Sequence, residues 1–347
     1  MKLLSTLALN ISEEQYRDIP ALSYSLISRY TNCGFNGLDT IFDKIESPSL
    51  TIGSAVDCLL TAPNEFDERF MVCEFSEPPE KVKKAIDYLY NNHNVAWLED
   101  IEDDYYILDA LNMFEYRGNW KDDKRIQTFK EEGSNYFRYL VVSEGKTILS
   151  QADYEKAKMV AEAFKGSKQT CFYFAPNVEF ADTQRFYQLK FKTKLKNDID
   201  YKAMMDLILV DYYKKEITIC DIKTTSGKEW DFVHSFLKYH YDQQARLYYR
   251  ILLDAIEKDE VFKDFKIVGF KFLVANVDNP QPLVWDCRLY KSFGDLNYET
   301  KSGKVITLKE PEYIGAELKH YLEDKPKVPD EVSLEEENDI EKFILKM

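Results

Sequence analysis

Two acids and a lysine stand inside apolar runs where charge is costly. Asp206 lies within AMMDLILVD, and Asp221 and Lys223 lie within ITICDIKTT, the two runs being joined by a polar turn. Buried strand positions rarely carry charge without a partner or a metal. Side chains alternate along a strand, so Ile217, Ile219, Asp221 and Lys223 share one face and Thr218, Cys220 and Ile222 the other. Two carboxylates and an ammonium on one patch are the equipment of metal-assisted phosphodiester hydrolysis. The structural alternative is a buried Asp206–Lys223 ion pair, which is costly without a reason for it.

The surrounding pattern supplies the elements that must position these groups. Residues 12–75 read as mainly helical, with TIGSAVDCLLTAP a buried helix stopped by Pro63. Residues 76–170 are polar, aromatic-rich and mainly helical, with DYEKAKMVAEAFKG the clearest helix and Gly166 its stop. Strand signals follow in FYFA, VEFA, RFYQLKFKTKL, AMMDLILVD and ITICDIKTT. A long helix is expected over 229–258, then strands in KIVGFKFLVAN and PLVWDCRLY, then helices in PEYIGAELKHYLED and the acidic SLEEENDIEKFILKM. This order predicts one α/β domain with a mixed sheet, spanning 1–347, with 76–170 as a helical insertion and 330–347 as an acidic C-terminal helix or tail.

Composition narrows the classes. The chain has 347 residues, 45% hydrophobic and 14% aromatic, enough for a sizeable core. No apolar run approaches the length of a membrane span, so no membrane partner is expected. The six cysteines are scattered without a C-x-x-C, which argues against zinc or iron–sulfur ligation and for a reduced, cytoplasmic setting. A net charge of −15 opposes indiscriminate nucleic-acid binding, so a DNA enzyme would need a segregated basic surface. KFKTKLK, with Lys190, Lys192, Lys194 and Lys196 on one strand face, is the best candidate for one. Lys121, Lys124 and Arg125 form a smaller basic cluster. The aromatics Tyr105, Tyr106, Phe114, Tyr116, Trp120 and Phe137 are read as packing the insertion onto the core in preference to stacking on bases. No Gly-rich phosphate or dinucleotide motif is present.

The run DLILVD…ITICDIKTT followed by YDQQARLYY resembles the PD-(D/E)xK nuclease superfamily, with Asp206 as its first acid, Asp221-Ile222-Lys223 as its D-x-K, and Gln244 and Tyr248 as the Q-x-x-x-Y of the RecB-like branch. Four residues apart, Gln244 and Tyr248 share one helix face. Upstream, LSYSLISRY…TIGSAVDCLLTAPNEFDERF is similar to the phage exonuclease VIII (RecE-type) group, with Gly53, Ser54 and Ala55 matching and Asp57 standing where that group usually has His. NVEFADTQRF places Glu179 at the group's Glu position, and Met204 replaces a residue that is often basic.

The resemblance implies a restriction-endonuclease-like core and a Mg²⁺ (or Mn²⁺) site formed by Asp57, Glu179, Asp206, Asp221 and the Ile222 carbonyl. It implies Lys223, Gln244 and Tyr248 as catalytic or substrate-holding groups. It further implies exonuclease action on double-stranded DNA with a free end, 5′-to-3′ resection in phage-type recombination, a single-strand annealing protein as partner, and a homo-oligomer. The alternatives are an endonuclease or repair nuclease of the same fold, and a non-catalytic interaction protein on a nuclease scaffold.

Overall fold

The computed structural model describes residues 2–43, 45, 47–73, 78–179, 181–300 and 302–324. The acidic segment 330–347 lies outside the described residues.

The N-terminal fifth of the chain is mainly helical, as the sequence suggests for residues 12–75. It contains α1 (Glu13–Arg17), the short β1 (Leu22–Ser23), α2 (Tyr24–Cys33), α3 (Pro48–Thr61), α4 (Phe66–Arg69) and β2 (Phe70–Cys73). The sequence explains where α3 starts: Ser47 accepts the Leu50 N–H at 3.3 Å, and Pro48 takes a first-turn position that has no helical hydrogen bond to lose. Next come α5 (Glu80–Asn92), α6 (Asp104–Met113), α7 (Asp122–Ser143), β3 (Thr147–Ser150) and α8 (Gln151–Gly166). The strands β4 (Thr183–Lys194), β5 (Asp200–Asp211) and β6 (Glu216–Thr225) follow, then α9 (Phe232–Lys238) and α10 (Tyr241–Glu257). The chain continues through β7 (Lys266–Asn276), β8 (Leu283–Asp286), β9 (Leu296–Glu299), β10 (Val305–Leu308) and α11 (Pro311–Asp324).

The fold is mixed α/β around a six-stranded mixed sheet. β4 and β6 are antiparallel to β5, β7 is parallel to β6, and β8 is antiparallel to β7. β4 occupies one edge of β5 from Asp200 to Asp211. The other edge is shared: β6 pairs with Leu207–Asp211, and β1 pairs with Tyr201 and Lys202. Between these two pairings β5 and β6 part, and a wedge opens beside residues 203–206.

Among the described residues three apolar clusters hold the chain together. One packs α10, through Ala245, Leu247 and Ile251, on Ile217, Ile219, Phe270 and Phe272. A second packs α3 and α8, through Ala55, Val56, Val160 and Phe164, on Leu207, Leu209, Cys220 and Ile222 across the sheet. The expected alternation of β6 is therefore observed. A third cluster, including Ile86, Leu111, Phe129 and Phe137, is built mainly by α5, α6 and α7 among themselves. Helix α8, placed by the sequence in the insertion, packs instead on the sheet.

Several predicted elements differ. FYFA forms a 3₁₀ turn, Cys171–Phe174. Val178, Glu179 and Ala181 of VEFA form no strand: the side chain of Asn177 pairs with the Arg185 backbone in both directions (2.7 and 2.8 Å), which folds the approach to β4 into a turn. The helix expected over 229–258 breaks at His240, whose φ is +54°, so α9 and α10 are separate. The strand in PLVWDCRLY stops at Asp286, and Arg288–Lys291 forms a 3₁₀ turn.

Candidate functional site

The site lies in the wedge. The β5–β6 ladder ends at Leu207 and Cys220, and the next residues along the two strands are Asp206 and Asp221. The Ile222 N–H, with no β5 carbonyl to take it, donates to Asp206 Oδ2 at 2.9 Å. A carboxylate thus replaces a lost ladder acceptor and is held at the opening. Asp206 is half-buried, and Asp221 is buried.

Lys223, two residues along the same face of β6, pairs with Asp221: Nζ stands 2.6 Å from Oδ2, in an orientation that makes no regular hydrogen bond. The predicted structural alternative, an Asp206–Lys223 pair, is not the one formed. Burial alone would lower the Lys223 ammonium, but Asp221, Tyr241, Tyr24 and Asp206 raise it well above its usual value, so it stays charged. Its ammonium also lies over the Tyr241 ring, 4.6 Å from the centroid. From α10, Gln244 Nε2 donates to Asp221 Oδ1 at 2.6 Å. Tyr248, one turn on, is buried beside Gln244, and burial together with Tyr16, Asp221 and Asp206 keeps its hydroxyl protonated.

Asp57 reaches the site from the opposite side of the sheet, on α3. Gly53, one turn earlier, makes the approach close: a Cβ there would meet Thr224 Oγ1 at 3.2 Å. Gln188 Nε2 donates to Asp57 Oδ2 at 2.6 Å, while Asp57 Oδ1 is buried without a hydrogen-bond partner. Burial pushes the Asp57 carboxyl up to about 7, with Arg69 opposing and Asp221 and Glu13 adding. Burial, then Asp221 and Asp57, raise Asp206 well above the usual carboxylate range. The three acids therefore feel one another, with Lys223 and Arg69 as the opposing charges.

Six of the sequence-predicted residues thus gather here: Asp57, Asp206, Asp221, Lys223, Gln244 and Tyr248, with the Ile222 backbone between the two central acids. Glu179 does not join them. It sits exposed in the turn that Asn177 holds ahead of β4. Arg125 of the small basic cluster is buried, donating to the Tyr116 carbonyl and to Asn112, so it has no face for phosphate. Lys192 and Lys194 are answered by Asp200 (3.3 Å) and Asp198 (3.0 Å). Of the aromatics, Tyr116 and Phe137 pack inside the insertion, while Tyr105, Tyr106 and Trp120 are exposed. Sequence reasoning missed Gln188, Tyr24 and Tyr241.

The donor set suits a hard divalent cation: carboxylate oxygens, two of them, Asp57 Oδ1 and Asp221 Oδ2, buried without hydrogen bonds, in a region of excess negative charge. Among the described residues no group of three or more His, Cys, Asp or Glu side chains is set to hold a metal ion. Among the described residues no helix is long and apolar enough to cross a membrane. No family model matches the chain, and no curated protein matches it.

Proposed function

We propose that the chain is a metal-dependent nuclease, using Mg²⁺ or Mn²⁺ to hydrolyse phosphodiester bonds of linear duplex DNA from a free end. The observation that carries this reading is the parting of β5 and β6, which leaves Asp206, Asp221 and the charged Lys223 together in an open wedge, with Asp57 brought in from α3.

Asp206, Asp221 and Asp57 would hold the cation, with the Ile222 carbonyl as a further oxygen. Mg²⁺ keeps several waters when protein supplies only part of its shell, which fits a partial set of carboxylates. Bound there, the cation supplies charge neutralisation and an acidified water. The chain's own groups do the rest. The Ile222 N–H fixes Asp206, and Gln244 fixes Asp221. Lys223, held charged, meets negative charge developing on the phosphate; its raised proton affinity favours this over a role as base. Tyr248 and Gln244 line the α10 side. The finer reading, 5′-to-3′ resection by a homo-oligomer that hands a 3′ strand to an annealing protein, rests on the PD-(D/E)xK and exonuclease VIII resemblance.

The test is degradation of linear duplex DNA in Mg²⁺, beside EDTA and a closed circular control. We expect loss of the linear form only, dependent on metal. Asp221→Asn should reduce it on the order of a thousandfold, the several kcal/mol that metal-held charge stabilisation contributes. Nicking of the circle would make the protein an endonuclease. Inactivity of well-folded protein on every duplex and single strand, in Mg²⁺ and in Mn²⁺, would leave the non-catalytic scaffold.

A further inference from the structure

Gln188 sits in the middle of β4 with φ at +50°, a left-handed conformation that glycine takes freely and other residues rarely hold inside a strand. Its position in the ladder is directly opposite Asp206. β4 and β5 pair from Tyr187↔Leu207 outward and again from Leu189↔Met205, and the Gln188–Asp206 step between them is missing. Both strands change face at this step. Along β5, Tyr201, Ala203 and Met205 face the α10 cluster, as do Ile208 and Val210, while Leu207 and Leu209 face the α3 side. Along β4, Phe186, Leu189 and Phe191 face α10 and Tyr187 faces α3. The alternation slips by one in each strand at the pair that contains the wedge aspartate.

An unfavourable backbone conformation in a paired strand needs something to hold it. Gln188 Nε2 donates to Asp57 Oδ2 at 2.6 Å and lies 3.5 Å from Thr61 Oγ1, which in turn donates to the Asp57 carbonyl at 2.8 Å. The side chain of the kinked residue is therefore spent on the one acid that comes from outside the sheet. We propose that Gln188 is a positioning residue for the cation site: the left-handed kink aims its amide across the sheet to clamp Asp57, leaving Asp57 Oδ1 free to face Asp206 and Asp221. Groups that hold a metal-binding side chain in place commonly set its affinity by ten- to a hundredfold.

This inference rests on the metal-dependent reading, and the test keeps the two apart. Mn²⁺ binding to the full chain is measured by calorimetry, and melting is followed in EDTA, for wild type, Gln188→Gly and Gln188→Asn. Glycine and asparagine both accept the left-handed backbone, but neither reaches Asp57. The expected result is Mn²⁺ affinity about tenfold weaker in both variants, with the metal-free melting temperature unchanged or higher because the kink is relieved. Wild-type affinity in both variants, with wild type itself binding Mn²⁺, would overturn the positioning role and leave the metal site standing. A lower melting temperature alongside the weaker binding would assign Gln188 to holding the strands and would also overturn it. Absence of Mn²⁺ binding in wild type would remove the metal site and this role with it.

Discussion

Helix α10 touches two clusters of charge, and they are built on opposite rules. On one side, Gln244 and Tyr248 face the wedge, where Asp57, Asp206 and Asp221 act on one another, with Lys223 and, at Asp57, Arg69 opposing. On the other, Arg246 and Arg250 meet Glu310, which both guanidiniums reach and which also accepts the Gly294 N–H. Arg246 further donates to the carbonyls of Ser292, Lys309 and Gly294, and Arg250 reaches Glu312 at 3.1 Å. There the signs alternate and the guanidiniums bind backbone as well as acid, which ties the 292–312 segment to the helix. Its weak member is Asp242, fully buried and 3.7 Å from Arg246, with its carboxyl pushed up to about 6 by burial. Buried charge as such therefore does not set the wedge apart in this molecule; like charge gathered where two strands part does.

The sharpest way to break the contrast is to neutralise one acid on each side. Asp221→Asn should leave metal-free stability within about 1 kcal/mol of wild type, because relief of carboxylate crowding offsets the lost ion pair, while cleavage falls on the order of a thousandfold. Glu310→Ala should do the reverse. It leaves two buried guanidiniums without their shared acid and should cost about 3–5 kcal/mol in urea unfolding, with cleavage per folded molecule close to wild type. Equal loss of stability in the two variants would mean that the wedge is a structural ion cluster like its neighbour.

Titration gives the next contrast. The Asp57 carboxyl is raised from an ordinary 3.8 to about 7. Between those values the folded form binds more protons than the unfolded form, so this group's contribution falls as pH rises and its full cost is present above about 7. The shift alone would amount to about 4 kcal/mol, and solvent screening of a partly exposed carboxyl reduces that to about 1–2 kcal/mol. Asp57→Asn in EDTA should therefore melt above wild type at pH 8, by a margin that shrinks to nothing near pH 4. Cation binding by wild type should weaken below about pH 7, since the ligand must be ionised. A pH-independent difference between the two proteins would show that burial does not raise the Asp57 carboxyl in the folded chain.

Much of the wedge was legible because its members obey local rules. Asp206, Asp221 and Lys223 interrupt apolar strands, and the four-residue spacing of Gln244 and Tyr248 needs only one regular helix. What escaped depends on departures from regularity. Gln188 carries no sign of a left-handed strand residue, since glycine or asparagine would be the ordinary marker. Tyr241 meets Lys223 only because the predicted single helix breaks at His240. Glu179 rests on the resemblance of NVEFADTQRF to a strand that Asn177 converts to a turn, and α8 joins the sheet side through contacts that no periodicity can show.

The smallest expected effect tests the approach of α3. Gly53 stands inside a helix, where replacement by alanine gains about 0.8–1 kcal/mol of helix propensity. The added Cβ would lie 3.2 Å from Thr224 Oγ1, close enough that the neighbour must shift by a few tenths of an ångström. The two terms nearly cancel, so Gly53→Ala should unfold within about 0.5 kcal/mol of wild type. Its effect belongs on the site. Asp57 lies one turn further along the same face, and a small displacement of α3 moves that carboxylate away from Asp206 and Asp221 while leaving the Glu310 cluster untouched. Gly53→Ala should weaken Mn²⁺ binding severalfold at nearly constant stability, and Gly53→Val, with more bulk at the same contact, should weaken it further. Unchanged Mn²⁺ affinity in both would mean that α3 has slack against β6, and that the distance between the two halves of the acid cluster is set elsewhere.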